Sequence, residues 1–317
     1  MSTRVGAALA AAVVCSMAAL GCEQQQFLNI VTGGTSGVYY PMGVGLSQLY
    51  RRALPEMRLS VQATRASAEN LNLLQARRAE LGFTLGDALA DAWLGNEEAG
   101  FSRPLTRLRV VVGIYPNYIQ IVGSLDAGIR TLADLAGRRI SVGAPGSGTE
   151  LNARAILGAA GFTYQDFSKV EYLAFGESVE LMKNRQLDVT LQSAGLGVAS
   201  LRDLAIAIPI VVVPIPEDIV RKTSNSAYQA AVIPAETYPG QTEDVPTAAI
   251  QNFLVTHDEV PDEVVYIMTK TLFENLDELI AAHTAAREIT LEHALGDTPV
   301  PLHPGAARYY REVGLIQ

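Results

Sequence analysis

The chain has 317 residues, 49% hydrophobic and 18% charged, with a formal net charge of −9. That length suits two domains of about 100–150 residues each, and the apolar share with scattered Gly and Pro excludes a disordered chain. Lys and Arg nowhere cluster, which excludes a nucleic-acid footprint and an electrostatic hold on anionic lipid, so any bound anion must be met by local amides, hydroxyls or a single Arg.

The N-terminus carries Arg4 and then an apolar, Ala-rich stretch ending in small residues, which reads as a secretory signal over 1–21. It is short and poor in Leu and Ile for a membrane anchor, and nothing later is apolar for long enough to span a bilayer. Cys22 follows Ala19-Leu20-Gly21, a pattern that resembles a bacterial lipoprotein box, so Cys22 is the candidate for lipidation. Cys15 lies inside the signal, and the exported chain therefore keeps no intramolecular disulfide. The expected location is the periplasm, with or without an N-terminal lipid.

From residue 27 the pattern alternates β-rich and helical runs. FLNIV, LSVQAT, LGFTL, LRVVVGI, RISVGA, VEYLAF and LDVTLQ read as strands, and 41–54, 67–78, 87–94, 150–160 and 177–184 as amphipathic helices. This alternation predicts an α/β fold of mostly parallel sheets with helices on both faces. Two stretches interrupt it: 115–123, and 230–234 after a helix near 217–223. They read as crossings between lobes, which gives lobe I as 27–117 with 231–317 and lobe II as the inserted 118–230. Beyond Thr247 one more strand, TAAIQNFLV, and helices over 261–273 and 276–293 are expected to pack back on lobe I.

Two glycine-rich turns join a strand to a helix. Gly33 to Tyr40 precedes Pro41, a residue suited to starting a helix, and Gly143 to Glu150 recurs in the middle of the chain. Such turns point free amides at whatever lies above the carboxyl end of the sheet, where the helix dipole favours an anion. The first lacks nucleotide-loop spacing, and the second has Thr149 and Glu150 where a triphosphate loop needs Lys and Ser/Thr. Ser147 and Glu150 also have the spacing of a capping box, so the Ser147 hydroxyl has a local use available. Pro145 stands where a nucleophile elbow needs Gly, and His257, His283, His293 and His303 lack metal spacing and read as surface residues. Asp258, Glu259, Asp262 and Glu263 read as a solvated helix start. No enzyme, metal or cofactor is expected.

TGGTSGVYYPMG, SAENLNLL, VGAPGSGTELNARAIL, ETYPGQTEDVPT, TKTLFENLDEL and LHPGAARYYREVGL, in that order from Thr32 to Leu315, resemble the TAXI family of TRAP-transporter solute receptors. The resemblance implies a type II-like, two-lobed periplasmic binding protein with lobes joined by crossing strands. Its partners would be a small carboxylate, such as glutamate, glutamine or a dicarboxylate like 2-oxoglutarate, and the subunits of a sodium-driven TRAP permease. Carried over by position, Thr35, Gly37, Tyr39 and Tyr40 would face the ligand from one lobe, and Ser147, Gly148 and Thr149 from the other. Asn70 at the SAEN helix start, Tyr115 at the crossing, and Glu177 and Gln192 at strand-to-helix switches are further candidates. The chain departs from the family at Arg65, where a small residue is expected; turned into the cleft, it would pair a second carboxylate. The expected state is a monomer. A ligand-sensing subunit of a periplasmic signalling system is the alternative, because it needs the same hinge and cleft.

Overall fold

The structure is a computed structural model that describes residues 26–317 apart from Ser224. The signal over 1–21 and the lipidation candidate Cys22 lie outside the described residues.

The first half alternates strand and helix as the sequence pattern dictates. It runs β1 (Phe27–Val31), α1 (Tyr39–Ala53), β2 (Arg58–Gln62), α2 (Ser67–Gln75), β3 (Leu81–Leu85) and α3 (Gly86–Leu94). In α1 the residues Tyr39, Met42, Leu46, Leu49 and Tyr50 recur at helical spacing and are buried, each such side chain contributing roughly 1.5–3 kcal/mol. All five residues of β3 are buried, which marks a strand covered on both faces.

The chain then enters β4 (Leu108–Ser124), a single strand that runs through Pro116 and Asn117. Next come β5 (Arg139–Ser141), α4 (Gly148–Ala159), β6 (Lys169–Glu171), α5 (Phe175–Lys183), β7 (Val189–Ala194), α6 (Ala199–Ala207), β8 (Ile210–Val213) and α7 (Glu217–Lys222). Last are β9 (Gln229–Ile233), β10 (Val245–His257), α8 (Asp262–Glu274), α9 (Leu276–Ala282) and α10 (Pro304–Glu312).

Among the described residues the strands form one ten-stranded sheet with the central order β2-β1-β3-β10-β4-β7-β5-β6. The parallel pairs lie in two half-sheets, β2-β1-β3 and β7-β5-β6. Every antiparallel pair involves β4 or β10. These two long strands are the crossings: Tyr118 faces Ala249 and Pro116 faces Gln251, with a register shift between Gln251 and Phe253 that accommodates a residue lacking an N–H. The second crossing is therefore β10, while 229–233 is a strand hydrogen-bonded along its first residues. Apolar cores cover both faces of the sheet, one built with α1, α5, α6, α8, α9 and α10, the other with α2, α3, α4 and α7.

One expected helix is shorter than its sequence pattern. The helix predicted over 276–293 ends at Ala282, because His283 adopts an extended conformation and its Nδ1 accepts the Ala285 amide. The segment beyond it bends back so that the Ala294 carbonyl can accept the Gly113 amide, 2.7 Å away, at the irregularity in β4. The histidines differ from expectation as well. His257 and His303 are buried, and each accepts a nearby backbone amide through Nδ1.

Candidate ligand-binding site

β3 ends at Leu85, opposite Asn252 of β10, and β7 ends at Ala194, opposite Tyr118 of β4. Both half-sheets therefore present their carboxyl ends to the midpoint of the crossing strands, the place where open α/β sheets hold ligands. A cavity of about 110 Å³ lies there. A single water needs about 10–15 Å³ on the same measure, so the space suits a solute of roughly seven to eleven heavy atoms.

Four helices begin on this cavity. Val38 and Tyr39 open α1, Ala66 and Ser67 open α2, Ser147 to Thr149 open α4, and Ala174 and Phe175 open α5. Each start carries partial positive charge on amides without helical acceptors, an arrangement that favours an anion even in a protein of net negative charge. The amides of Gly148 and Thr149 find no acceptor among the described residues. Gly143, at φ 97°, supplies the left-handed turn that leads into α4; a Cβ there would lie 2.8 Å from that of Thr149.

The polar side chains on the wall divide into used and free. Thr64 bonds the Thr32 carbonyl and Asn70, and its oxygen accepts the Ala66 amide. These bonds hold Ala66 at φ 72° and ψ −143°, a conformation that costs a non-glycine residue on the order of 1–3 kcal/mol and that concentrates at functional sites. Ser67 accepts the Leu85 amide, and Ser147 accepts the Glu150 amide at 3.2 Å. The reciprocal arm of that capping box is missing, because the Glu150 carboxylate is held by Arg154 and the Tyr164 hydroxyl. The Thr149 side chain makes no hydrogen bond among the described residues, and the buried Ser193 hydroxyl has no partner. A buried hydroxyl without a partner is costly, so a group that a solute can satisfy is favoured here.

Beneath the cavity a chain of side chains ties the two half-sheets together. The Tyr39 hydroxyl donates to Asn252 Oδ1 at 2.5 Å, Asn252 Nδ2 donates to Asn117 Oδ1, and Asn117 Nδ2 donates to the Ser193 carbonyl. Tyr39 also stacks on Phe83, ring centres 5.0 Å apart. Behind the cavity, Asp87 at the start of α3 accepts Asn152 of α4 and the Tyr228 hydroxyl. Burial pushes the Asp87 carboxyl up to about 6, and its hydrogen bonds from Tyr228 and the Ala88 amide oppose that rise. The two sides meet closely at Gly148, where a Cβ would lie 2.5 Å from Leu85 and 2.6 Å from the Ser67 hydroxyl.

Of the residues singled out in the sequence, Gly37, Tyr39, Ser147, Gly148, Thr149 and Arg65 border the cavity. Arg65 does so at the rim: its side chain is 60% exposed and its Nε lies 3.1 Å from Glu69. The others stand off the wall for local reasons. Thr35 is exposed at the tip of a turn closed by the Gly37 amide on the Gly34 carbonyl. Tyr40 is one helical step round from Tyr39 and faces elsewhere. Asn70 is fully buried and donates to the carbonyls of Thr32 and Phe83, fixing the turn beneath Ala66. Tyr115 is buried beside Gly195 and lends its carbonyl to Asn252. Glu177 is exposed and caps α5 by accepting the Ala174 amide. Gln192 is buried further back along β7 and accepts the Ser200 hydroxyl of α6 instead of bordering the cavity. Sequence reasoning passed over Ser67, Asn117, Phe175 and Ser193 on the wall and Asn252 below it. For Ser193 a signal existed: it is the residue just past the predicted strand LDVTLQ, at a carboxyl end.

Among solved structures, the chain is similar to the periplasmic binding protein BugD, with TM-score 0.56 and 13% identity over 92% of this chain and 94% of that one. It is also similar to PhnD1 from Prochlorococcus marinus in complex with methylphosphonate, with TM-score 0.54 and 12% identity over 92% of this chain and 100% of that one. The binding-protein component of an ABC phosphonate transporter from Pseudomonas aeruginosa gives TM-score 0.52 and 10% identity over 82% of this chain and 79% of that one. All three are binding proteins and none is an enzyme; at these identities they establish the fold, a mixed α/β architecture with a helix-flanked central sheet. Residues 30–314, from the end of β1 to just short of the C-terminus, match one protein family, and the chain belongs to it, the NMT1-like family.

Proposed function

We propose that the protein is a non-catalytic extracytoplasmic receptor that closes two lobes over a small carboxylate and hands it to a membrane transporter. The observation that carries this reading is the convergence of four helix starts, two from each half-sheet, on one cavity between the crossing strands. Such a cradle binds an anion with dipoles and amides and brings no general base to it. We take 27–117 with the chain from the middle of β10 onward as one lobe, and 118 through β9 and the first residues of β10 as the other, with β4 and β10 as the hinge. Gly37, Tyr39, Ser147, Gly148 and Thr149 are the ligand contacts we assign, joined by Ser193.

The collinear sequence blocks support a TRAP permease of the kind served by TAXI receptors as the transporter, and the residues around Cys22 support a periplasmic location with a lipid anchor. A thermal-shift panel of carboxylates and sugars tests the receptor reading. A bound carboxylate at about 100 times its dissociation constant is expected to stabilise the protein by roughly 2.7 kcal/mol, with no effect from sugars. Stabilisation by sugars and none by acids would overturn it.

A further inference from the structure

We propose that the cavity takes a monoanionic organic acid with an uncharged, apolar body, its single carboxylate clasped between the starts of α1 and α4. The proposal rests on the receptor reading above, and it departs from the glutamate-type acids that the sequence resemblance implies.

The charge inventory of the wall is the first ground. Among the described residues no Lys, Asp or Glu borders the cavity, and Arg65, the one charged residue that does, is at the rim with its Nε committed to Glu69. An α-ammonium group would therefore meet no carboxylate, and a second carboxylate only the exposed rim guanidinium of Arg65, whose charge Glu69 already pairs. A charge buried without a partner is strongly disfavoured.

The second ground is which helix starts remain open. α2 already carries Glu69, whose carboxylate accepts the Arg65 amide at 2.9 Å. α5 carries Glu177, which accepts the Ala174 amide. α1 has no acidic residue in its first turn, and the acidic residue of α4, Glu150, is turned to Arg154. Two starts from opposite lobes are left for one head group. The free donors lie on the same side: the Gly148 and Thr149 amides follow β5, the unpartnered Ser193 hydroxyl ends β7, and these strands are hydrogen-bonded neighbours.

The remaining wall is apolar, with Val38, Leu85, Ala144, Ala174, Phe175 and Ala194. In lobe I the Thr64 and Tyr39 hydroxyls donate within the protein, and Ser67 accepts the Leu85 amide, which leaves few donors for a distal polar group.

Titration calorimetry of the full mature chain with three probes of one carbon skeleton tests this. Hexanoate ends in a methyl group, adipate in a second carboxylate and 6-aminohexanoate in an ammonium. Hexanoate is expected to bind at least tenfold more tightly than either of the others. Adipate or 6-aminohexanoate binding as tightly as hexanoate would overturn the proposal, as would no binding by any of the three. Stabilisation by glutamate or 2-oxoglutarate alongside that failure would leave the receptor reading standing, whereas stabilisation by sugars alone would remove both.

Discussion

Thr149 and Ser147 stand two residues apart at the start of α4 and serve different ends. The Ser147 hydroxyl caps its own helix, while the Thr149 hydroxyl is unengaged on the cavity wall. Thr149→Val is expected to weaken acid binding by about 1–3 kcal/mol with little change in unliganded stability. Ser147→Ala is expected to cost about 1 kcal/mol of stability with or without ligand. Calorimetry and denaturant titration of the pair separate the two roles; unchanged binding in Thr149→Val would remove this threonine from the site. Asp87 makes a second prediction at this scale. Its carboxyl is pushed up to about 6 when folded, so between about pH 4 and 6 the native state holds more protons than the unfolded chain, and stability falls as pH rises through that window. The groups facing it are Asn152, Tyr228 and the Ala88 amide, with the Asp91 charge on its own helix raising its pKa further. The loss approaches about 3 kcal/mol above that window. Denaturant titrations of wild type and Asp87→Asn from pH 4 to 7 check it, because the variant is expected to lose this slope; parallel profiles would contradict it. The glycine turns were legible in the sequence because strand, glycine run and helix start are local features. Asn70, Tyr115 and Gln192 were not placed correctly on the cavity by sequence order alone, since their position depends on turn closure and on how far along its strand each one lies.

At the scale of elements, α4 packs tightly against the opposite lobe. Gly148 leaves no room for a side chain against Ser67 and Leu85, so Gly148→Val is expected to prop the cleft open. Acid affinity should fall at least tenfold while the unliganded melting temperature stays near that of wild type; retained affinity would show that this contact does not govern closure. Strands and helices of the first half were readable from their period because each is short, bounded by turn residues and covered by its neighbours. The crossing was harder: Pro116 suggests a break, yet β4 continues because the register shift against β10 removes the need for its N–H. The end of α9 was hidden too, since His283 turns extended to accept the Ala285 amide and the segment beyond is held at Ala294 by the distant Gly113 amide.

Across the whole molecule, the crossing strands and the cavity are one construction. The same two strands that join the half-sheets carry Asn117 and Asn252, so the bonds from Tyr39 to Ser193 run through the joint itself. Residues from four separate loops reach one cavity only because β3 and β7 both end at the middle of β10 and β4, a register that no single stretch of sequence encodes. A crystal structure of the mature protein grown with hexanoate tests the central claim most directly. The carboxylate is expected within about 2.7–3.2 Å of the Gly148 and Thr149 amides and the Ser193 hydroxyl, with its alkyl chain against Phe175 and Leu85. Hexanoate bound instead in the open groove beside Arg154 and Tyr172, with the cavity between the helix starts filled by water, would contradict it.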